Sequence, residues 1–135
     1  VLSAAFWRRF AAIENVIAIK IAPFDRYRTL DVIRGVVEAR AERRITLLTG
    51  NDDHIVLDLL CPYRFRRGEE EVTLRITGGL LGHWSVWTRT AVEILERCRA
   101  ARGAPAVPSD LLALDSAVTD TNAASNAEGG RYCRS

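Results

Sequence analysis

The spacing of apolar residues changes repeatedly along this chain, and each change marks an element. Phe6, Phe10 and Ile13 recur at three-to-four-residue intervals, which predicts a helix over residues 3–13. Residues 16–22 (VIAIKIA) form a near-continuous run of largely branched apolar residues, the pattern of a buried parallel strand. Pro23 ends it, because proline has no N–H for the ladder. Asp25 or Thr29 can start the next helix, whose apolar positions are Leu30, Ile33, Val37 and Ala41. Residues 45–49 (ITLLT) predict a second strand, closed by Gly50 and Asn51. Asp52 or Asp53 can cap a short helix over residues 55–60, which stops near Pro62.

Residues 64–71 (RFRRGEEE) read as a solvated, charged loop. Residues 72–76 (VTLRI) predict a third strand ending at Gly78 and Gly79. Trp87, Ala91, Ile94, Leu95 and Cys98 then make the wide apolar stripe of a long helix. A Gly/Pro/Ala linker over residues 103–108 leads to a last helix, with Ser109 as its cap and Leu111, Leu112, Leu114 and Val118 as its apolar positions. Beyond Ala124 the chain turns polar and glycine-rich, which predicts disorder. The expected organisation is therefore a main body over residues 1–102, a linker and terminal helix over 103–124, and a disordered tail over 125–135.

Alternating helices and strands predict an α/β fold with a parallel sheet. An open doubly wound sheet and part of an eight-stranded barrel both produce this pattern, and the pattern alone does not choose between them. Both place chemistry at the carboxyl ends of the strands. That directs attention to residues 20–23, 49–53 and 78–84.

Composition narrows the function classes. A chain of 135 residues suits one domain, and its 48% hydrophobic and 27% charged residues are globular proportions. No apolar run approaches the roughly 20 residues of a spanning helix. A net charge of +2 offers no electrostatic footprint for nucleic acid. Cys61, Cys98 and Cys133 are few and widely spaced, which suggests reduced thiols in a cytoplasmic protein rather than a disulfide framework or a zinc site. No secretory leader pattern lies near Val1. The chain has no methionine and opens inside an expected helix, which suggests a piece of a longer protein.

Lys20 is the only lysine among 19 basic residues, and it stands near the end of an apolar strand. Lysine is rarely buried unless it is paired or functional. Strand alternation puts Val16, Ala18, Lys20 and Ala22 on one face and three isoleucines on the other. Desolvating an amine favours its neutral form, which can attack a carbonyl to form a Schiff base. The plainer alternative is a lysine whose head reaches water or a carboxylate. Gly50 lets the backbone approach a ligand, while Asp52 and Asp53 read most simply as helix caps. Residues 78–84 (GGLLGHW) lack the glycine spacing of a dinucleotide fingerprint. His83 can serve as an acid, a base or a ligand, or be structural, and Trp84 and Trp87 read as packing. No zinc-ligand spacing, nucleophile elbow or phosphate loop is present.

Taken in order, IAIKIA, LLTGNDD and GGLLGHWSVWTRTAVE resemble the dihydrodipicolinate synthase and N-acetylneuraminate lyase superfamily, in particular a bacterial dihydrodipicolinate-synthase-like branch. The likeness covers roughly residues 6–98 and extends to TDTNAA at 119–124. It implies a (β/α)8 TIM barrel, of which this chain holds strands six to eight with their helices. It also implies a class I lyase or aldolase acting on pyruvate or a related 2-oxo acid, with Lys20 as the imine-forming nucleophile and no metal or organic cofactor. Gly50 and Asn51 would lie beside the substrate at the end of strand seven, and Gly79, Leu81 and His83 at the end of strand eight. Asn51 stands where the superfamily usually has an acid, and His83 and Trp84 are bulkier than its usual residues, which implies a different pocket. Superfamily members are often tetramers, which implies a homo-oligomeric parent. The substrate-binding hydroxyls of strand two and the tyrosine of strand five have no counterpart in these residues, so the chain by itself is expected to be inactive. The alternative, from another class, is a small non-catalytic α/β binding or interaction module.

Overall fold

The computed structural model describes residues 2–23, 25–80 and 82–126. Leu81, Cys133 and most of the tail expected to be disordered lie outside the described residues. The chain runs as α1 (Ala4–Ala11), β1 (Ala18–Ile21), α2 (Arg26–Glu38), β2 (Thr46–Thr49), α3 (Ile55–Leu60), β3 (Pro62–Arg67), β4 (Glu70–Gly79), a 3-10 turn (Gly82–Ser85), α4 (Thr88–Ala101) and α5 (Ser109–Asn126). The result is a mixed α/β fold around one four-stranded open sheet.

Local chemistry explains the element ends. The Ser3 hydroxyl accepts from the Phe6 N–H at the start of α1, and the Asp25 carboxylate accepts from the Tyr27 N–H at the start of α2. At the end of α2, the Ala41 N–H bonds the Val36 carbonyl and the Arg40 N–H bonds the Val37 carbonyl. That pair of bonds makes a Schellman cap, and Arg40 takes the left-handed φ of 55° where glycine is usual. Helix α3 starts after His54, which makes no side-chain capping bond, so neither Asp52 nor Asp53 occupies the cap position. The Arg44 guanidinium donates to the carbonyls of Ala11, Ile13, Glu14 and Val16, which ties the end of α1 to the start of β2.

The sheet order is β1-β2-β4-β3. β1 runs parallel to β2 and β2 parallel to β4, whereas β3 is antiparallel to β4. The charged loop expected over residues 64–71 is instead a β-hairpin. Tyr63 and Phe65 turn half-buried toward the helices, while Arg64 and Arg66 face water. Gly68, with φ of 64°, begins a two-residue turn and supplies the positive φ that a tight hairpin needs. The run of charge is solvated, but on one face of a strand. Arg67 bonds Glu42, Glu70 and the Val37 carbonyl, which pins the hairpin's end to α2.

One core fills the side of the sheet that the helices cover. Ile19, Ile21, Leu47, Val72, Leu74 and Ile76 point into it and meet Val32, Ile33 and Val36 of α2, Ile55, Val56 and Leu59 of α3, Ile94 and Cys98 of α4, and Leu111 and Val118 of α5. The opposite face carries Ala18, Lys20, Thr46 and Thr73, all exposed. A doubly wound sheet carries helices on both faces and reverses its strand order, and the described residues do neither. Helix α5 runs through residues 119–124 and on to Asn126, beyond the expected break at Ala124. Its buried stripe is Leu111, Asp115, Val118 and Asn122, half of it polar.

Candidate functional site

Three parallel strands end side by side. Register pairs Lys20 with Leu48 and Leu48 with Gly78, so these three residues form one rung of the bare face. The next rung, Ile21, Thr49 and Gly79, points the other way, into the core. Beyond it the Gly50 N–H donates to the Ile21 carbonyl, and the Leu80 N–H to the Thr49 carbonyl, which keeps the strand ends aligned.

Gly50 is where the site needs a glycine. A β-carbon there would stand 2.6 Å from Lys20 Cε, 2.8 Å from Ala22 Cβ and 3.5 Å from Lys20 Nζ. The lysine side chain therefore lies across the Gly50 backbone, in space that any other residue would fill. On its other side Lys20 lines a cleft of about 330 Å³ with Leu2, Trp7, Ala22, Val32 and Arg28. The cleft offers apolar walls, one amine and one guanidinium, and Arg28 is bridged to Asp25 and Asp31.

The structure distributes the other expected site residues differently. Gly79 faces the helix layer, where an added β-carbon would stand 2.7 Å from Ile55 Cδ1, and it is Gly78 that shares the rung with Lys20. The Asn51 side chain is turned inward, with its amide donating to Asp58 and Thr29. His83 is buried against α4 and α5 and contributes to a different cleft from Lys20. Of the residues expected around Lys20, Gly50 lies against its side chain, while Gly79, Asn51 and His83 turn elsewhere.

A buried polar network behind the strand ends carries no mark in the motif reading. Asp58 is fully buried and accepts from Thr49 Oγ1 at 2.7 Å, an Arg26 guanidinium nitrogen at 2.8 Å, the Tyr63 hydroxyl at 3.1 Å and Asn51 Nδ2 at 3.3 Å. Burial, then the Asp58 charge and the hydrogen bond to it, hold the Tyr63 phenol far above its ordinary pKa. Burial pulls on Arg26 as well, but the Asp58 charge and hydrogen bond outweigh it and raise the guanidinium pKa. The one available signal was an aspartate inside the otherwise apolar stretch IVLDLL.

Helix α5 fastens the loops at the strand ends. Asp115 accepts from the Leu57 N–H and pairs with His54 Nδ1 at 2.8 Å, the Thr119 hydroxyl donates to the Asp53 carbonyl, and Asn122 Nδ2 donates to the Asp52 carbonyl. The Asn122 carbonyl in turn accepts from the His83 N–H. The loop that carries Gly50 and the turn that carries His83 are thus held by one helix. Burial raises the pKa of the Cys61 and Cys98 thiols, which keeps them as inert thiols. No group of three or more potential metal ligands forms among the described residues, and no described helix is long and apolar enough to cross a membrane.

The fold and its strand-end lysine define a mixed α/β protein with a one-sided sheet. No protein-family model, no curated protein and no solved structure matches the chain.

Proposed function

We propose that this chain forms one side of a (β/α)8 barrel, and that Lys20 is its imine-forming nucleophile for pyruvate or a related 2-oxo acid. The observation that carries the reading is the placement of Lys20 on a bare sheet face, at the carboxyl end of its strand, packed over Gly50. Successive parallel strands that add in one direction, with right-handed crossovers, put every helix on one side. β1, β2 and β4 share that arrangement with consecutive units of a barrel, whose other face becomes the packed interior. β3, by contrast, lies antiparallel on the outer edge of β4, where the next barrel strand would pair, so barrel closure requires β3 to leave that edge. The resemblance of the three strand-end motifs to the Schiff-base lyase superfamily supplies the chemistry.

In that chemistry the neutral amine adds to the ketone carbon, forming a C–N bond as the carbonyl π pair moves to oxygen. One proton from the nitrogen and one from solvent turn that oxygen into water, and the nitrogen lone pair expels it to leave an iminium. The iminium accepts the electron pair released when a neighbouring C–C bond breaks or an adjacent C–H is deprotonated. Turnover calls for further strands to close over the bare face, so imine formation is the step that belongs to this chain.

The test is borohydride trapping with pyruvate and a panel of 2-oxo acids, read by intact mass and peptide mapping. A reduced adduct on Lys20, absent from Lys20→Arg, is the expected result. A folded chain that gives no Lys20 adduct with any 2-oxo acid overturns the reading and favours a non-catalytic binding module.

A further inference from the structure

Strand β3 ends one side of the sheet and is hydrogen-bonded along one edge only, to β4. Alternate residues of an antiparallel strand turn both backbone groups to the same edge, so β3 holds a row of N–H and C=O groups outward. Among the described residues, no backbone group outside β4 pairs with them. A cleft of about 560 Å³ runs beside that row, lined by all six residues of β3 and by Leu30, Arg34, Val37 and Glu38 of α2. Leu30, Arg34 and Val37 recur at intervals of four and three residues, so they present one helix face to the strand edge.

A groove between an edge strand and a helix accepts an extended peptide as one more strand, with main-chain bonds supplying affinity and alternate side chains supplying specificity. The two faces of β3 determine which side chains fit. Toward the helix layer, half-buried Tyr63 and Phe65 stand with Leu30, which is 38% exposed, and the Arg34 guanidinium lies over the Phe65 ring at 5.7 Å. Toward the bare face, Arg64 and Arg66 are exposed. Glu71 stands opposite Arg66 in register, yet neither arginine makes an ion pair among the described residues. Arg67 is already taken by Glu42 and Glu70. Glu38, the last residue of α2, is the one acidic residue in a lining that holds four arginines.

We infer that the β3 edge binds an extended acidic peptide of a partner protein, in which apolar side chains alternate with carboxylates. In the added strand the apolar set meets Tyr63, Phe65 and Leu30, and the carboxylates meet Arg64 and Arg66. A second copy of this chain does not fit the edge. Antiparallel pairing of β3 with its own copy would set Arg64 and Arg66 beside their counterparts, and like charges on neighbouring strands repel. The arginines thus guard the edge against self-association while leaving it open to an acidic strand. The inference concerns the fold with β3 on the edge of β4 and does not depend on imine chemistry at Lys20.

The probe is the peptide acetyl-GEVEVEVG-amide, titrated into the ¹⁵N-labelled full chain and followed by NMR and amide hydrogen exchange. The expected result is that the β3 amides shift and that exchange slows at alternate β3 residues. The basic counterpart acetyl-GKVKVKVG-amide is expected to bind about tenfold more weakly. Arg64→Glu combined with Arg66→Glu alters two exposed side chains, and is expected to weaken the acidic peptide about tenfold and to favour the basic one. Only alternate amides of an added strand face β3, so N-methylating all the glutamates and N-methylating all the valines should differ. One set abolishes binding and the other leaves it, a comparison made on the native chain that stands even if the double variant does not fold. Unmoved β3 amides overturn the inference, as do equal affinity for the acidic and basic peptides and N-methylated peptides that keep or lose binding alike. A short oligothymidylate that binds the same residues as tightly as the acidic peptide also overturns it, because the edge would then be a general anion surface.

Discussion

Removing the Asp58 carboxylate is the sharpest test of how the strand ends are held. In Asp58→Ala the Thr49 hydroxyl, 0% exposed, and the Asn51 amide, in a residue 4% exposed, both lose a buried acceptor. An orphaned buried polar group costs about 1–3 kcal/mol. Asn51 keeps a long bond to Thr29, so its share falls toward the lower end. The Arg26 side chain is 40% exposed and can reach water, so its ion pair adds far less than a fully buried pair would. Together these give a loss of about 2–4 kcal/mol. For a domain of this size that is roughly 10 °C in Tm. The assay is urea unfolding at pH 7 followed by circular dichroism, beside Thr49→Val and the double variant. Partners in one network should couple, so the double variant should lose less than the two single losses added together. An Asp58→Ala chain within about 0.5 kcal/mol of the parent would refute the reasoning, because it would mean that the buried acceptor is not in use.

The remaining predictions concern single positions. The unfolded chain releases phenolic protons from about pH 10, whereas the fold keeps Tyr63 protonated. Stability is therefore expected to fall as the pH rises above about 10, and Tyr63→Phe should flatten that limb in denaturant titrations at pH 9 to 11. The folded pKa of His83 is depressed, so its contribution is present above about pH 6.5 and is lost as the pH falls. The acid side of the stability profile should become shallower in His83→Phe. Arg40→Gly relieves a left-handed backbone at an exposed position and should stabilise by about 0.5–1 kcal/mol, and a lowered Tm would contradict the cap geometry. Gly50→Ala forces a β-carbon to 2.8 Å from Ala22 Cβ, which cannot swing aside as the exposed end of Lys20 can, and should cost about 1–3 kcal/mol, so an unchanged melting curve would show that the ends of β1 and β2 stand further apart.

Much of the fold was legible because burial imposes a period on the sequence. The isoleucines of β1 and the stripe over Ala91, Ile94, Leu95 and Cys98 could be placed from spacing alone, since each element meets the core on one face. The hairpin was not legible in the same way. Tyr63 and Phe65 alternate with arginines, but a strand only half covered keeps its charge, and charge is what a reading for loops detects first. Helix α5 hid part of its inner face because Asp115 and Asn122 are buried by hydrogen bonding rather than by apolar transfer.

The candidate site divides along the same line. Lys20 and Gly50 could be named from the sequence, because a lysine in an apolar strand and a glycine at a strand end are local facts. Which glycine shares the lysine's face was decided by register: an irregularity between Leu47 and Leu48 brings Gly78 onto that rung and turns Gly79 into the core. The inward turn of Asn51, the gathering of Arg26, Tyr63 and Thr49 on Asp58, and the seating of His83 between α4 and α5 likewise bring together residues from separate elements. Residue spacing was enough to set the helices, the three parallel strands and their order, and composition to single out the one lysine. Tertiary structure alone decided which side chains share a face or a cavity, because local spacing sets the direction of a side chain within its own strand or helix but not the register and packing of one element against the next.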